Sequence, residues 1–153
     1  MASNGRAAIR IGADYVVAYM VSSNQALFLA PDSSVLFGFG EPQAAGSLTN
    51  SAVNGRYASS TTTPATLGAV IFSGEFTADG AIPTGNITGT EDIGAAGGPS
   101  LAVAANATYS VSSFPTNGRG TIGGSGIVYV VSTSKFVVVS SSDPNPAVLI
   151  FEQ

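Results

Sequence analysis

Residues 4–43 read NGRAAIRIGADYVVAYMVSSNQALFLAPDSSVLFGFGEPQ, and residues 117–153 read NGRGTIGGSGIVYVVSTSKFVVVSSSDPNPAVLIFEQ. Laid over each other from the shared Asn-Gly-Arg, Tyr19-Met20-Val21-Ser22 falls on Tyr129-Val130-Val131-Ser132, Asp32 on Asp143, and Glu41-Pro42-Gln43 on Glu152-Gln153. The offset stays between 109 and 113 residues, so the two stretches differ only by small loop changes. The chain therefore reads as residues 1–43, the second half of a repeat module, followed by residues 44–153, one complete module of about 110 residues. On this reading the sequence starts mid-unit, as a mature chain or a fragment would, and Met1 to Arg6 lacks the apolar core of a signal peptide.

Inside each copy the pattern is that of strands. Val, Ile, Phe, Tyr and Thr come in runs of five to ten, broken by Asn-Gly, Asp-Gly, Gly-Gly and Pro-Asn-Pro, and no 12-residue window keeps a helical period free of Gly or Pro. Strands are expected over 5–12, 14–22, 25–30, 34–39, 54–61, 67–78, 82–90, 106–113, 118–123, 126–133, 135–141 and 146–152. Short connections between sequence neighbours make this an all-β, antiparallel up-and-down meander. Eight strands fall in the complete module, as a barrel or sandwich, and four in the half-module. Eight is also the number whose barrel is filled by its own side chains. Gly74 to Ile82 alternates across Asp79-Gly80, which predicts a hairpin there. A fainter echo relates Asn54-Gly55-Arg56-Tyr57 to Asn106-Ala107-Thr108-Tyr109.

Four of these strands do not alternate. Tyr15 to Val21, Ile127 to Val131, Phe136 to Val139 and Val148 to Phe151 are apolar at consecutive positions. An antiparallel sheet with one wet face should alternate, so these strands expect cover on both faces, from extra layers or from a neighbouring copy.

Composition narrows the chemistry. Five Lys or Arg and nine Asp or Glu make 9% of the chain charged, against about 25% in an ordinary domain; 19 Gly, 20 Ser and 13 Thr take their place. His, Cys and Trp are absent, which removes His-based triads, thiolate nucleophiles, imidazole or thiolate metal sites and disulfides. A net charge of −4 with scattered cations speaks against nucleic-acid binding, and no 18-residue apolar run predicts membrane insertion by a helix.

The Asn-Gly-Arg-Gly-Thr of 117–121, Tyr129-Val130-Val131-Ser132, Lys135 and the closing Glu152-Gln153 resemble a tandem β-strand repeat of large secreted bacterial surface proteins, acidobacterial ones among them. Gly55-x-Tyr57 and Gly74-Glu75-Phe76-Thr77-Ala78-Asp79-Gly80, followed by Gly85 and Asp92, resemble it too. The chain departs from that pattern at Asn106-Ala107-Thr108-Tyr109, where the family has Gly-Thr-Tyr, at Ala7-Ala8 in place of Gly-Thr, and at Gln25 in place of the Lys seen at 135. The resemblance covers nearly the whole chain and implies an extracellular structural module, with no catalytic residues to transfer.

Several groups of residues still bear weighing. Asp79, Glu91 and Asp92 flank the hairpin but lack the spacing of a Ca²⁺ loop, so no metal site is assigned and turn chemistry is the expected role, as for Asp32 and Asp143. Gly118 to Gly124 has no Lys-Ser/Thr and no helix after it, which makes it a strand and turn. Arg6 and Arg119 recur at matching positions, which fits either a repeated structural bond to a backbone carbonyl or a carboxylate of the adjoining module, or plain surface solvation. Nothing sets Glu41 beside Glu75 as a glycosidase pair would require. Asn86-Ile87-Thr88 and Asn106-Ala107-Thr108 match the N-glycosylation pattern.

No cofactor and no reaction is expected. The sequence instead predicts a non-enzymatic, self-associating structural module of an extracellular filament or cell surface layer. The alternative is a small adhesin-like barrel that binds a ligand or carbohydrate, lined by Tyr15, Tyr19, Tyr57, Tyr109 and Tyr129.

Overall fold

The computed structural model of the chain describes residues 4–11, 14–30, 37–62, 70–112, 117–140 and 147–153. Asp32, Asp143 and the expected strand bounds at 12, 34, 67, 113, 141 and 146 lie outside these residues. The chain divides into two units, Met1–Gln43 and Ala44–Gln153.

Unit 1 is a four-stranded antiparallel meander of β1 (Arg6–Ile11), β2 (Asp14–Ser22), β3 (Gln25–Leu29) and β4 (Phe37–Gly40), in that spatial order. Unit 2 is a closed eight-stranded barrel: β5 (Asn54–Thr61), β6 (Ile71–Asp79), β7 (Gly85–Gly94), β8 (Ser100–Val111), β9 (Arg119–Ile122), β10 (Gly126–Ser132), β11 (Lys135–Ser140) and β12 (Val148–Glu152). Each strand pairs with its sequence neighbours, and β12 pairs antiparallel with β5 to close the ring. Closure leaves unit 2 without an open edge. Among the described residues no helix is long and apolar enough to cross a membrane.

The barrel closes because alternate residues of every strand fill it. Tyr57, Ala78, Ile87, Tyr109, Val111, Val128, Val130, Phe136 and Phe151 are buried together. At their centre Phe136 stacks on Phe151 with ring centroids 4.4 Å apart and meets the edge of Tyr57 at 4.9 Å. Where strands come closest, side chains are absent. A Cβ on Gly89 would collide with the Glu75 carbonyl, and one on Gly120 with the carbonyl of Ser110.

Two strands begin elsewhere than the sequence predicts. The hairpin at Asp79-Gly80 is closed by a five-residue connection, 80–84, so β7 starts at Gly85 rather than at 82; Pro83 has no N–H to give a ladder. Strand β8 starts at Ser100 instead of 106. It is extended by a register shift opposite Glu91 to Ile93, with Ala102 at φ 55° and its N–H held by Asp92 Oδ1 at 2.8 Å.

The two stretches aligned in the sequence have matching strand order and register. Strands β1–β4 reproduce β9–β12 pair by pair: Arg6 opposite Tyr19 matches Arg119 opposite Tyr129, and Leu27 opposite Phe39 matches Val137 opposite Ile150. The irregularities repeat as well. Register shifts between Met20 and Ser22 and again between Val130 and Ser132. Gly5 and Gly118 both take φ 75°, where only glycine is at ease, and the preceding Asn side chain accepts the N–H of Arg6 or Arg119 at 3.2 Å in each copy.

Candidate functional site

The outer face of the repeated four strands is the most distinctive surface of the chain. Side chains alternate across a strand, so one face of β9–β12 fills the barrel and the other looks outward. Across that outer face run Arg119, Tyr129, Val137 and Ile150 in one row and Ile127, Val139 and Val148 in the next. Unit 1 carries the same rows as Arg6, Tyr19, Leu27 and Phe39, then Val17 and Leu29. Tyr129 and Tyr19 are each 44% exposed, and Leu27, Leu29 and Phe39 are exposed too, whereas Val17 is buried and Ile127, Val137, Val139, Val148 and Ile150 are half-buried. Four of these strands, β2, β10, β11 and β12, are the ones that failed to alternate in sequence, and their second apolar face lies on the outside.

The other half of the barrel wears a different coat. On β6, β7 and β8 the outward positions include Ser73, Glu75, Thr77, Asn86, Thr88, Thr90, Asn106, Thr108 and Ser110, with the apolar Ile71, Leu101 and Ala104 exposed toward the strand ends away from Asp79. Unit 2 is thus apolar outside on β10–β12 and hydroxyl- and amide-rich on β6–β8. The two glycosylation-like patterns lie side by side there, with Asn86 opposite Thr108 and Thr88 opposite Asn106.

The remaining sequence candidates serve the fold. Asp79 ends β6, where Oδ1 accepts the N–H groups of Ala81 (3.0 Å) and Asn86 (2.9 Å) and Oδ2 accepts the Asn86 amide (2.9 Å). The Ala81 N–H, then the Asn86 side-chain amide, hold its carboxyl below the ordinary value of 3.8. A folded pKa below the unfolded one means this contribution is present above the unfolded value and lost as pH falls through the folded one. We expect the Asn86 amide NMR resonance to titrate with an inflection below pH 3.8, and a midpoint at or above that value would contradict the geometry.

Asp92 lies opposite Ser73, six residues along β6 from Asp79, roughly 20 Å away. The structure therefore does not bring Asp79, Glu91 and Asp92 together, and among the described residues no group of three acidic side chains is placed to hold a metal ion. Glu75 forms an exposed ion pair with Arg56 at 3.4 Å, while Glu41 belongs to unit 1. Gly123 and Gly124, at φ 59° and 82°, make the turn between β9 and β10. What recurs at Arg6 and Arg119 is the backbone bond to Asn and the place at the head of the outer row.

The five tyrosines divide. Tyr15, Tyr19 and Tyr129 are exposed, whereas Tyr57 and Tyr109 are buried in the barrel. Tyr109 donates to Val53 O at 2.7 Å and accepts the Gly80 N–H at 2.8 Å; Tyr57 donates to Thr133 O at 3.2 Å. Burial raises both phenols above the ordinary value of 10.0. Their neutral forms are favoured by folding, so stability is full below the unfolded pKa and declines as pH rises from it toward the folded values. A spectrophotometric alkaline titration should show these two ionising late, together with loss of β circular dichroism. Ionisation of all five before any unfolding would contradict this.

One arrangement had no signal in the sequence. Residues 44–53, to which the sequence assigns no strand, form the floor of the barrel, with Leu48, Ala52 and Val53 buried and Leu48 in a parallel bridge to Asn117. Asn50, 2% exposed within a single 3-10 turn, Asn50–Ala52, donates its amide to Ala81 O (2.6 Å) and Pro83 O (3.0 Å) and accepts the Val111 N–H at 2.5 Å. No family model, no curated protein and no solved structure matches the chain.

Proposed function

We propose that the chain is a structural, non-enzymatic repeat module of an extracellular filament or surface layer, whose copies associate through their apolar outer faces and by strand pairing. The observation that carries this reading is the duplicated outer row, Arg6-Tyr19-Leu27-Phe39 and Arg119-Tyr129-Val137-Ile150. Side chains of this kind on a solvated sheet face are costly to leave uncovered. A second copy carries the same face and only scattered charge to repel it. The resemblance to secreted bacterial surface repeats supports the same location and role. The alternative, a barrel with a ligand inside, is disfavoured by the rings of Tyr57, Phe76, Phe136 and Phe151, which occupy the interior.

Sedimentation velocity over a concentration series, with negative-stain microscopy of the same samples, tests the reading. Concentration-dependent association is expected to persist at high salt, at acid pH and in reductant, because apolar burial and backbone pairing do not depend on ion pairs or disulfides. Tyr129→Lys together with Leu27→Lys should weaken it at least about tenfold, since each places a charge where apolar contact is needed. A monodisperse monomer at high concentration would sink the proposal.

A further inference from the structure

Unit 2 shows the four-stranded sheet of the repeat with its partner seated. There β9–β12 is closed by β5–β8 through two seams: Leu149 opposite Thr61 and Phe151 opposite Ser59 on one side, Val111 opposite Gly120 and Ser110 opposite Thr121 on the other. Unit 1 has the same sheet in the same register, but β1 and β4 are its edge strands. The chain carries two copies of this half of the module and one of the 54–111 half.

We infer that β1–β4 is a half-barrel that takes up a four-stranded segment of the 54–111 type, which pairs with β4 and β1 in the registers of the two seams of unit 2. This rests on the strand-pairing part of the function proposed above and narrows it: the β1 and β4 edges pair with a 54–111-type half, and association of the chain alone is left to the apolar outer faces. Transposed, Gly38 and Gly40 lie opposite the equivalents of Thr61 and Ser59, and Ala7, Ala8 and Ile9 opposite those of Val111, Ser110 and Tyr109.

The inward face of unit 1 favours this occupant over a second β1–β4 sheet. Where β9–β12 places Val128, Phe136, Leu149 and Phe151 toward the barrel axis, β1–β4 places Ala18, Ala26, Gly38 and Gly40. Its larger inward groups are Ile9, Val16, Met20 and Phe28. Two such sheets face to face would bring one ring each, Phe28, which already lies over Gly40, where the closed barrel holds Tyr57, Phe76, Phe136 and Phe151, so the shared interior would be underfilled, which close-packed interiors do not tolerate. The 54–111 half brings rings at Tyr57, Phe76 and Tyr109. Exposure agrees with an unfilled half: Val130 is sealed at 0%, while Met20, its counterpart, is 38% exposed.

The seams differ in one respect. Gly120 lets β8 approach closely, and unit 1 has Ala7 there. The β1 seam is therefore the looser one, and Ala7→Gly should tighten it. Ala8 provides a way to block it. Met20 donates to Gly5 O at 3.0 Å, so Ala7 and Ile9 direct their backbone groups to β2 while Ala8 directs its N–H to the outer edge. Proline at 8 removes that donor without breaking the β1–β2 ladder.

The test joins residues 44–116 ahead of Asn4 of the full chain, so that Asn4-Gly5-Arg6 follows the added strands as Asn117-Gly118-Arg119 follows β8. Amide hydrogen exchange of β1 and β4 is expected to slow at least about 100-fold relative to the chain alone. Ala8→Pro in the extended chain should abolish the gain in β1 and leave β9–β12 unchanged. Unchanged exchange in β1 and β4, with unit 2 protected as before, overturns the inference. So does protection already present in the chain alone through a β1–β4 dimer. Should the extended chain not fold, the 44–116 polypeptide added in trans to the full chain gives the same readout, and no gain there overturns it equally. A chain that stays monomeric yet gains protection in the extended form would sink the filament reading and keep this one.

Discussion

Phe136→Ala is expected to cost unit 2 about 3–5 kcal/mol of stability, the range for removing a fully enclosed phenyl ring from a core that cannot collapse onto the space. The ring is 1% exposed, stacked on Phe151 and edge-on to Tyr57. It sits in a closed ring of strands whose hydrogen bonds oppose any inward movement of the wall. The cost should therefore fall at the upper end of what ring removal gives. The backbone itself accepts alanine here, because Ala26 holds the equivalent place opposite Met20 in unit 1, as Phe136 does opposite Val130. What is lost is packing and not strand geometry. Urea unfolding followed by circular dichroism should show a lower midpoint with an unchanged slope. A shift below about 1 kcal/mol would mean that the barrel relaxes around the gap, contrary to the closure seen in the strand order.

The same comparison explains how far the fold could be read from the letters. The likeness of 4–43 to 117–153 was legible because its signature lies in turns: each Asn-Gly-Arg has a glycine at φ 75° and an asparagine reaching two residues forward. The class was legible from β-branched runs and turn dipeptides, and the second apolar face from four strands that refused to alternate. Closure into a barrel was one of two eight-strand solutions the pattern allowed, and the β12–β5 seam between Phe151 and Ser59 decides it. Roles within a residue type were not legible. Tyr57 and Tyr129 are the same letter in similar strands, yet one faces the axis and the other the outside, and only strand register separates them. The start of β7 depended on a proline whose effect on the ladder outweighed the alternation around it. Asn50 was hidden most completely, since an asparagine among Ser, Thr and Ala before a strand looks like any surface turn.

Asn50 is also where a single atom should have the largest consequence after the rings. Its amide bridges the 80–84 connection and the end of β8: donors to Ala81 O and Pro83 O, an acceptor for Val111 N–H. Asn50→Ala leaves three backbone groups at the barrel floor without this partner. At about 1–3 kcal/mol for each group that water cannot reach, and less for carbonyls that find it, the expected loss is about 2–5 kcal/mol. Asn50→Asp is the sharper test because it preserves shape and the bond from Val111. Its second oxygen would face two carbonyl oxygens in a buried site, so the carboxyl must be protonated to donate to either. The folded pKa of the new Asp then lies above its unfolded value of about 3.9. Under that ordering the folded state binds more protons than the unfolded one, and stability relative to the parent falls as pH rises between the two values, by about 1.4 kcal/mol for each unit that separates them. The variant should thus be closest to the parent near pH 3 and most impaired near neutrality. Paired urea titrations of parent and variant at pH 3.5 and 7 would decide it, and an equal deficit at both values would mean that the floor opens to water and Asn50 does not hold it shut.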